Sequence, residues 1–484
     1  MAVLYNRTMS EREPNVYRNA ALLLATNVYR VACNAALFFI IARVLGSAEL
    51  GRYQFALSFA ALFGIAVHLG LNDLIIRQVA AAKEKAGYYL THAFFIKSAV
   101  GVLVTATTIG VIVLSGKPPA TWELVALASI TLSMVAGLDT IIVAFFYAFE
   151  RMGYVLALGV VRSTLLVGLG SAAVFTGTGA RGVLWVLLAA EVVYFVLAFI
   201  LMRKRLGIGF ERLKPSDVPK FVREGVPFAL NGIFVIVYGQ LHYTLLGFWA
   251  GDTATGEYTA AAKPVNFLSF IPSAVTQALF PFLSRRHATS PGDIARPLGK
   301  TIRYLLALSV PAALFAFLRA DELVYALFGS QYAESVIILR VLAFAVPIVF
   351  CGYPLWAAMN AIRREKQNTT VTGLAVAVNV AANVVLIPLF GPIGAAISYV
   401  ATEATQNVIR TALLYKYVGG FGLISNAAAV FPATVVLSVL LLLPFELNVF
   451  LEIPAYGIIY IAVILLTRGV SYKELLAIIR PDKP

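Results

Sequence analysis

Residues 45–53 read LGSAELGRY, and residues 250–258 read AGDTATGEY. Gly46, Gly51 and Tyr53 of the first stretch match Gly251, Gly256 and Tyr258 of the second at an offset of 205. Further on, Gly179, Gly182 and Glu191 match Gly391, Gly394 and Glu403 at an offset of 212. Each set keeps its internal spacing, so the chain is a weak tandem repeat with a longer second half. A stretch rich in Pro and charge, 203–221, joins the halves.

The repeated material is apolar. Of 484 residues, 60% are hydrophobic and only 13% charged, with a mean hydropathy of +0.85. Soluble chains average about 45–50% apolar and about 25% charged. A soluble fold could not cover this much apolar surface, which excludes a soluble enzyme. A helix needs about 20 apolar residues to cross the hydrocarbon core. Fourteen such runs lie near 19–43, 53–78, 90–115, 121–149, 153–176, 182–202, 222–249, 257–283, 298–318, 334–361, 369–389, 392–417, 425–444 and 449–467. The expected fold is an all-α integral membrane protein with about fourteen transmembrane helices. Six helices fall in each repeat. An even number makes both halves enter the bilayer in the same sense, related by an axis along the membrane normal. The expected divisions are a tail over 1–18, a first six-helix lobe over 19–202, the 203–221 linker, a second six-helix lobe over 222–417, two extra helices within 418–467, and a tail over 468–484. Residues 1–18 are polar and mixed in charge, so no signal peptide is expected.

Lys and Arg set the orientation. One side carries Arg7, Arg12 and Arg18, a loop with Arg77, Lys83, Lys85 and Lys97, then Arg151, seven cations over 203–223, five over 285–303, Arg363, Arg364, Lys366, Lys416 and four in the C-terminal tail. The other side carries only Arg43, Arg52, Lys117, Arg181 and Arg319. Twenty-eight against five places both termini in the cytoplasm of a multi-pass protein of the cytoplasmic membrane. The net charge of +14 is therefore a topology signal, and no basic domain exists to bind nucleic acid.

Five cations remain inside the spans: Arg30, Arg162, Lys263, Arg340 and Arg410. They share the membrane with Asp139, Glu191 and Glu403. Each charge costs ~2.5–3.5 kcal/mol at mid-membrane on insertion scales, so each needs a partner or a water-filled cavity. The polar residues are patterned. Gln54, Ser58, His68 and Asn72 fall on one helical face at i, i+4, i+14 and i+18. Adding 205 gives Thr259, Lys263, Ser273 and Gln277, and Ala61 maps to Asn266. The first helix carries Asn27, Arg30 and Asn34, and its counterpart carries Asn231, Tyr238 and His242. Faces of this kind cannot look at lipid, so they are expected to line a central aqueous cavity, with Arg52 at its outer entrance. The competing assignment is hydrogen bonding between helices. Asp139, Arg162 and Glu191 form a candidate ion-pair or ion-coupling set, as does Glu403 with Arg340 or Arg410.

The stretch 327–367, LFGSQYAESVIILRVLAFAVPIVFCGYPLWAAMNAIRREKQ, and the stretch 383–406, NVVLIPLFGPIGAAISYVATEATQ, resemble the second half of prokaryotic polysaccharide transporters. These are the O-antigen or oligosaccharide flippase branch of the multidrug/oligosaccharidyl-lipid/polysaccharide exporter superfamily. ARVLGSAELGRYQFALSFAALFGIAVHLGLNDLIIRQVA, 42–80, resembles the first two helices of that family. The resemblance implies two six-helix lobes in a V, alternating access, and a lipid-diphosphate-linked oligosaccharide as cargo. By position, Arg30, Arg52 and Lys263 resemble cavity cations of relatives that flip peptidoglycan precursor.

The residues fit such a cargo. Arg and Lys answer phosphate charge, while Asn, Gln, Ser, Tyr and His answer sugar hydroxyls. Arg30 and Lys263 are expected to form a ladder along which a diphosphate stays paired. The expected function is a flippase carrying a polyprenyl-diphosphate-linked oligosaccharide to the outer leaflet for glycan assembly. Membrane lipids are its surroundings, and a polysaccharide polymerase or ligase is a possible partner. No cofactor or metal is expected; a coupling H⁺ or Na⁺ would use Asp139, Glu191 or Glu403. One alternative is a cation-coupled multidrug exporter, whose site would favour carboxylates. A second is an integral-membrane glycosyltransferase or polymerase, which would carry chemistry in a large external loop. Four His, and Cys33 and Cys351 within apolar runs, offer no metal cluster or nucleophilic triad.

Overall fold

The computed structural model describes residues 16–68, 70–289, 294–443, 448–467 and 469. Within them all regular structure is helical. The long helices are α1 (Val16–His68), α3 (Ala86–Leu114), α6 (Met152–Phe175), α7 (Gly179–Leu206), α8 (Val218–Trp249), α11 (Ala295–Leu318) and α15 (Glu365–Val418). Between them lie α2 (Leu71–Ala81), α4 (Pro119–Ser129), α5 (Ala136–Ala148), α9 (Gly251–Leu268), α10 (Phe270–Thr289), α12 (Ala320–Phe328), α13 (Ser335–Ala343) and α14 (Ala345–Ala361). Helices α16 (Leu423–Leu442) and α17 (Val449–Leu466) follow. A six-residue π-helix, Ile130–Val135, joins α4 to α5.

Among the described residues, eleven helical stretches are long and apolar enough to span a membrane, or twelve if the bent pair α13 and α14 counts as one span. Two of these are each two helices across a glycine. Gly46 (φ 83°, ψ 174°) interrupts α1, and Gly391 (φ 56°, ψ −133°) interrupts α15. Left-handed backbone is cheap only for glycine. Dividing α1 and α15 at these residues turns twelve spans into the fourteen runs read from hydropathy. The protein is a multi-pass, all-α membrane protein.

The chain divides into two compact units, Met1–Val44 with Phe59–Ile233, and Leu45–Ser58 with Phe234–Pro484. The 203–221 linker thus packs with the first unit, and the short segment 45–58 packs with the second. The core of the first unit includes Ile75, Leu90, Ile141, Phe145, Phe146 and Met202. The linker is docked on α3. Tyr88 Oη donates to Asp217 Oδ2 (2.5 Å), the Lys214 amide donates to His92 Nε2 (3.2 Å), and the Glu211 amide donates to Thr91 Oγ1 (2.8 Å). Phe221 stacks on the His92 ring with centroids 5.0 Å apart. In the second unit, Leu283, Leu298, Ile302, Leu355, Leu414 and Leu437 join α10, α11, α14, α15 and α16 into one core. Arg319, just after α11, pairs with the buried Glu452 of α17 at 3.1 Å.

Two expectations need correction. Lys97 is not a loop residue: it is fully buried within α3. The polar face drawn through Gln54, Ser58, His68 and Asn72 is not one continuous helix either. Helix α2 starts after Gly70, whose left-handed backbone (φ 65°, ψ 8°) resets the direction. Hydropathy runs straight through this break because its flanks are apolar.

Candidate functional site

The second unit holds a partly open cavity of about 170 Å³. Helix α8 supplies Tyr238, His242 and Tyr243, and α9 supplies Tyr258, Lys263 and Asn266. Gln54 reaches it from α1 and Tyr399 from α15. The spacing explains the convergence. Tyr238 and His242 stand one turn apart on α8, and Tyr258, Ala262 and Asn266 stand one turn apart on α9, so each set shares a helical face. Five residues singled out from the sequence, Gln54, Tyr238, His242, Lys263 and Asn266, are brought together here.

The walls are aromatic. Tyr238 stacks on Tyr399 with centroids 5.9 Å apart. His242 packs on Tyr243 (4.1 Å) and on Tyr258 (5.1 Å), and Tyr243 meets Tyr258 edge-on (5.4 Å). The Lys263 ammonium lies 6.0 Å from the Tyr243 ring centroid, within cation–π range. Among the described residues, no carboxylate lines the cavity. One lies directly behind it: the Tyr238 hydroxyl donates to Glu403. Glu403 is buried, one turn after Tyr399 on α15.

Other candidates of the second unit have different surroundings. Ser58 is buried and donates to the Gln54 and Phe55 carbonyls of its own helix. Arg52 bridges Glu49 (2.7 Å) and Asp252 (3.0 Å). Gln277 is exposed and donates to Ser273 at 3.4 Å. Arg340 pairs with Asp321 at 2.6 Å, not with Glu403. Arg410 is buried and donates to Asn368 and Thr372, with an electrostatic interaction to Glu403.

The first unit holds a second polar group of residues. Arg162 and Glu191 form an ion pair. Asp139 is buried and interacts with Glu191, Arg162 and Lys97. The Lys97 ammonium donates to Asn72 Oδ1 (2.9 Å), Thr140 Oγ1 (2.8 Å) and the Gly137 carbonyl (3.1 Å), using all three of its protons. Asn72 is thus an acceptor for a buried lysine. Arg30 and Asn34 are exposed on α1 of this unit. The side chains of Asn27, His68 and Asn231, and the tail cations Arg7, Arg12 and Arg18, lie outside the described residues.

Sequence reading missed Lys97 and the tyrosine wall. Lys97 stands inside the apolar run 90–115, which was itself the signal that it is no loop residue. Tyr243, Tyr258 and Tyr399 escaped because tyrosine is common at membrane interfaces and carries no mark of depth.

Residues 16–287 match the polysaccharide biosynthesis protein family. The chain is 21% identical over 408 residues to the probable low-salt glycan biosynthesis flippase Agl15 of Haloferax volcanii, covering 83% of this chain and 84% of that protein. It is 25% identical over 193 residues to the probable flippase AglR of the same organism, covering 39% of this chain and 40% of that one. In three dimensions it is similar to the lipid II flippase MurJ in an inward closed conformation, with a TM-score of 0.73 and 13% identity, covering 94% of this chain and 99% of that one. It is also similar to an inward-facing multidrug resistance transporter of the MATE family, with a TM-score of 0.64 and 16% identity over 82% of this chain and 95% of that one. These structures share its fold. The family match spans more than half of the sequence, and this multi-pass helical protein belongs to the polysaccharide biosynthesis protein family.

Proposed function

We propose that the protein is a flippase, a transporter and not an enzyme, that moves a lipid-linked glycan from the inner to the outer leaflet of the cytoplasmic membrane. The observation that carries this reading is the second-unit cavity, a polar, tyrosine-walled space with one lysine inside a membrane-spanning bundle. Amide and hydroxyl groups there match sugar hydroxyls, and the cation matches an anionic head. The full or partial likeness to Agl15, AglR and MurJ supports the same reading. A cation-exporting site would be expected to present carboxylates to its cargo.

The finer reading is that the carrier is a polyprenyl diphosphate, that transport runs by alternating access, and that Arg30 and Lys263 answer the charge of the head. Moving an ionised head through bare hydrocarbon costs of order tens of kcal/mol on a Born estimate. A polar path removes most of that barrier, and the lipid tail never has to leave the bilayer. Membrane potential assists export of an anion by about 2.3 kcal/mol per charge per 100 mV. Asp139, Glu191 and Glu403 are the groups that would carry a coupling proton or Na⁺. Both termini face the cytoplasm in this scheme, and a polymerase or ligase would take up the delivered glycan.

The test is reconstitution of the purified chain into liposomes that hold a fluorescent polyprenyl-diphosphate oligosaccharide, with a membrane-impermeant quencher outside. Protein-dependent quenching beyond the outer-leaflet fraction is expected. Quenching equal to that of protein-free liposomes refutes the reading.

A further inference from the structure

We infer that the second-unit cavity holds a single sugar of the cargo head and that Lys263 reads a carboxylate on it, so that the unit recognised is a uronic acid. This deepens the flippase reading and rests on it. Size comes first. Drug-sized ligands occupy pockets of about 300–1,000 Å³, and a partly open cavity of about 170 Å³ has room inside for one ring, with the rest of the head outside it. The walls come next. Tyr238, Tyr243, Tyr258 and Tyr399 all belong to the lining, and their rings supply the apolar surface that suits the C–H groups of a pyranose. Gln54 and Asn266 supply donors and acceptors for its hydroxyls.

Charge separates a sugar acid from the diphosphate. Among the described lining residues Lys263 is the single basic side chain other than His242. Diphosphate sites collect several cations, arginine forks or the free amides of a helix N-terminus. Lys263 stands well inside α9, twelve residues beyond Gly251, or about 18 Å along the axis. The amides of a helix interior are committed to their own helix. The cavity therefore offers one ammonium and no cluster of free amides. That supply matches one carboxylate on a ring that is otherwise neutral.

The test uses the full chain in lipid nanodiscs and two synthetic probes, farnesyl diphosphate bearing either one glucuronosyl or one glucosyl residue. Wild type is expected to bind the glucuronosyl probe about tenfold more tightly. Lys263→Gln should abolish that preference by weakening the glucuronosyl probe alone, and Lys263→Arg should keep most of it. Equal affinity of wild type for the two probes overturns the inference and leaves the flippase reading standing. A Lys263→Gln variant that weakens both probes by one factor also overturns it, because the lysine then reads the diphosphate common to both. Failure of both probes to bind folded wild type overturns the flippase reading together with the inference. The wild-type comparison is decisive even where a variant does not fold.

Discussion

Gly51 and Gly256 make a reciprocal backbone contact. A β-carbon on Gly51 would lie 1.7 Å from the Asp252 carbonyl oxygen, and one on Gly256 would lie 1.8 Å from the Ser47 carbonyl oxygen. Ser47 and Asp252 are themselves related by the offset of 205 that relates the two glycines. The motif is small-xxx-Gly against x-xxx-Gly, and close approach of this kind stabilises helix pairs in membranes through packing. Gly51→Ala and Gly256→Ala should each cost about 1–3 kcal/mol of stability through overpacking, read as a lower thermal midpoint in detergent. Gly110→Ala, with open space around its site, is the control. Equal midpoints for Gly256→Ala and Gly110→Ala would show that the crossing can spread at no cost.

Lys97 is expected to act on stability. Lys97→Met removes the donor from Asn72, Thr140 and Gly137 and takes a cation away from Asp139. Breaking a buried charge arrangement from one side costs roughly 3–5 kcal/mol. A large fall in thermal midpoint is expected, and Asn72→Ala should cause a smaller one. A Lys97→Met protein as stable as wild type would contradict the buried network.

The bond between Tyr238 and Glu403 separates chemistry from charge. Glu403→Gln keeps an acceptor for the phenol, so stability should change little. Glu403→Ala leaves the hydroxyl without it, at a cost of about 1–3 kcal/mol. Paired unfolding curves check this. If Glu403→Gln is as damaging as Glu403→Ala, the charge of Glu403, and not its acceptor, is what the site needs.

Docking of the linker should depend on acid. The hydroxyl of Tyr88 holds the Asp217 carboxyl below the usual carboxylate range. A lowered folded-state value means that the contribution is complete above the unfolded value of about 4 and is lost as pH falls through the folded value. Hydrogen exchange over 207–217 should therefore be protected at neutral pH and less so in strong acid, after correction for intrinsic rates. Tyr88→Phe should remove most of that pH dependence. Unchanged pH dependence in Tyr88→Phe would assign the docking to His92, Thr91 and the aromatic packing.

Orientation gives the last expectation. A cysteine at exposed Phe210, in a background without Cys33 and Cys351, should react with a membrane-impermeant maleimide only after the membrane is opened. Labelling in intact cells would reverse the topology.

The membrane class, the number of apolar runs and the glycine pairs were legible in the sequence because they rest on local quantities. Hydrophobic run length is set by bilayer thickness, and a glycine that must turn left-handed, as at Gly46 and Gly391, leaves its mark at one position. Part of the cavity was legible as well, since Gln54, Tyr238, His242, Lys263 and Asn266 are polar residues where polarity is expensive. What tertiary structure alone decided is which polar residues meet. Polarity at depth can be answered by a cavity, as for Lys263, or by a neighbouring helix, as for Lys97 on Asn72 and Thr140. Both answers look alike along the chain, because the partners are far away in sequence. The break at Gly70 was hidden for a related reason: it falls between apolar flanks. Gln54 and Asn72 belong to different units, which divide between Ser58 and Phe59. Helical periodicity assigns a face, but only packing chooses what the face looks at.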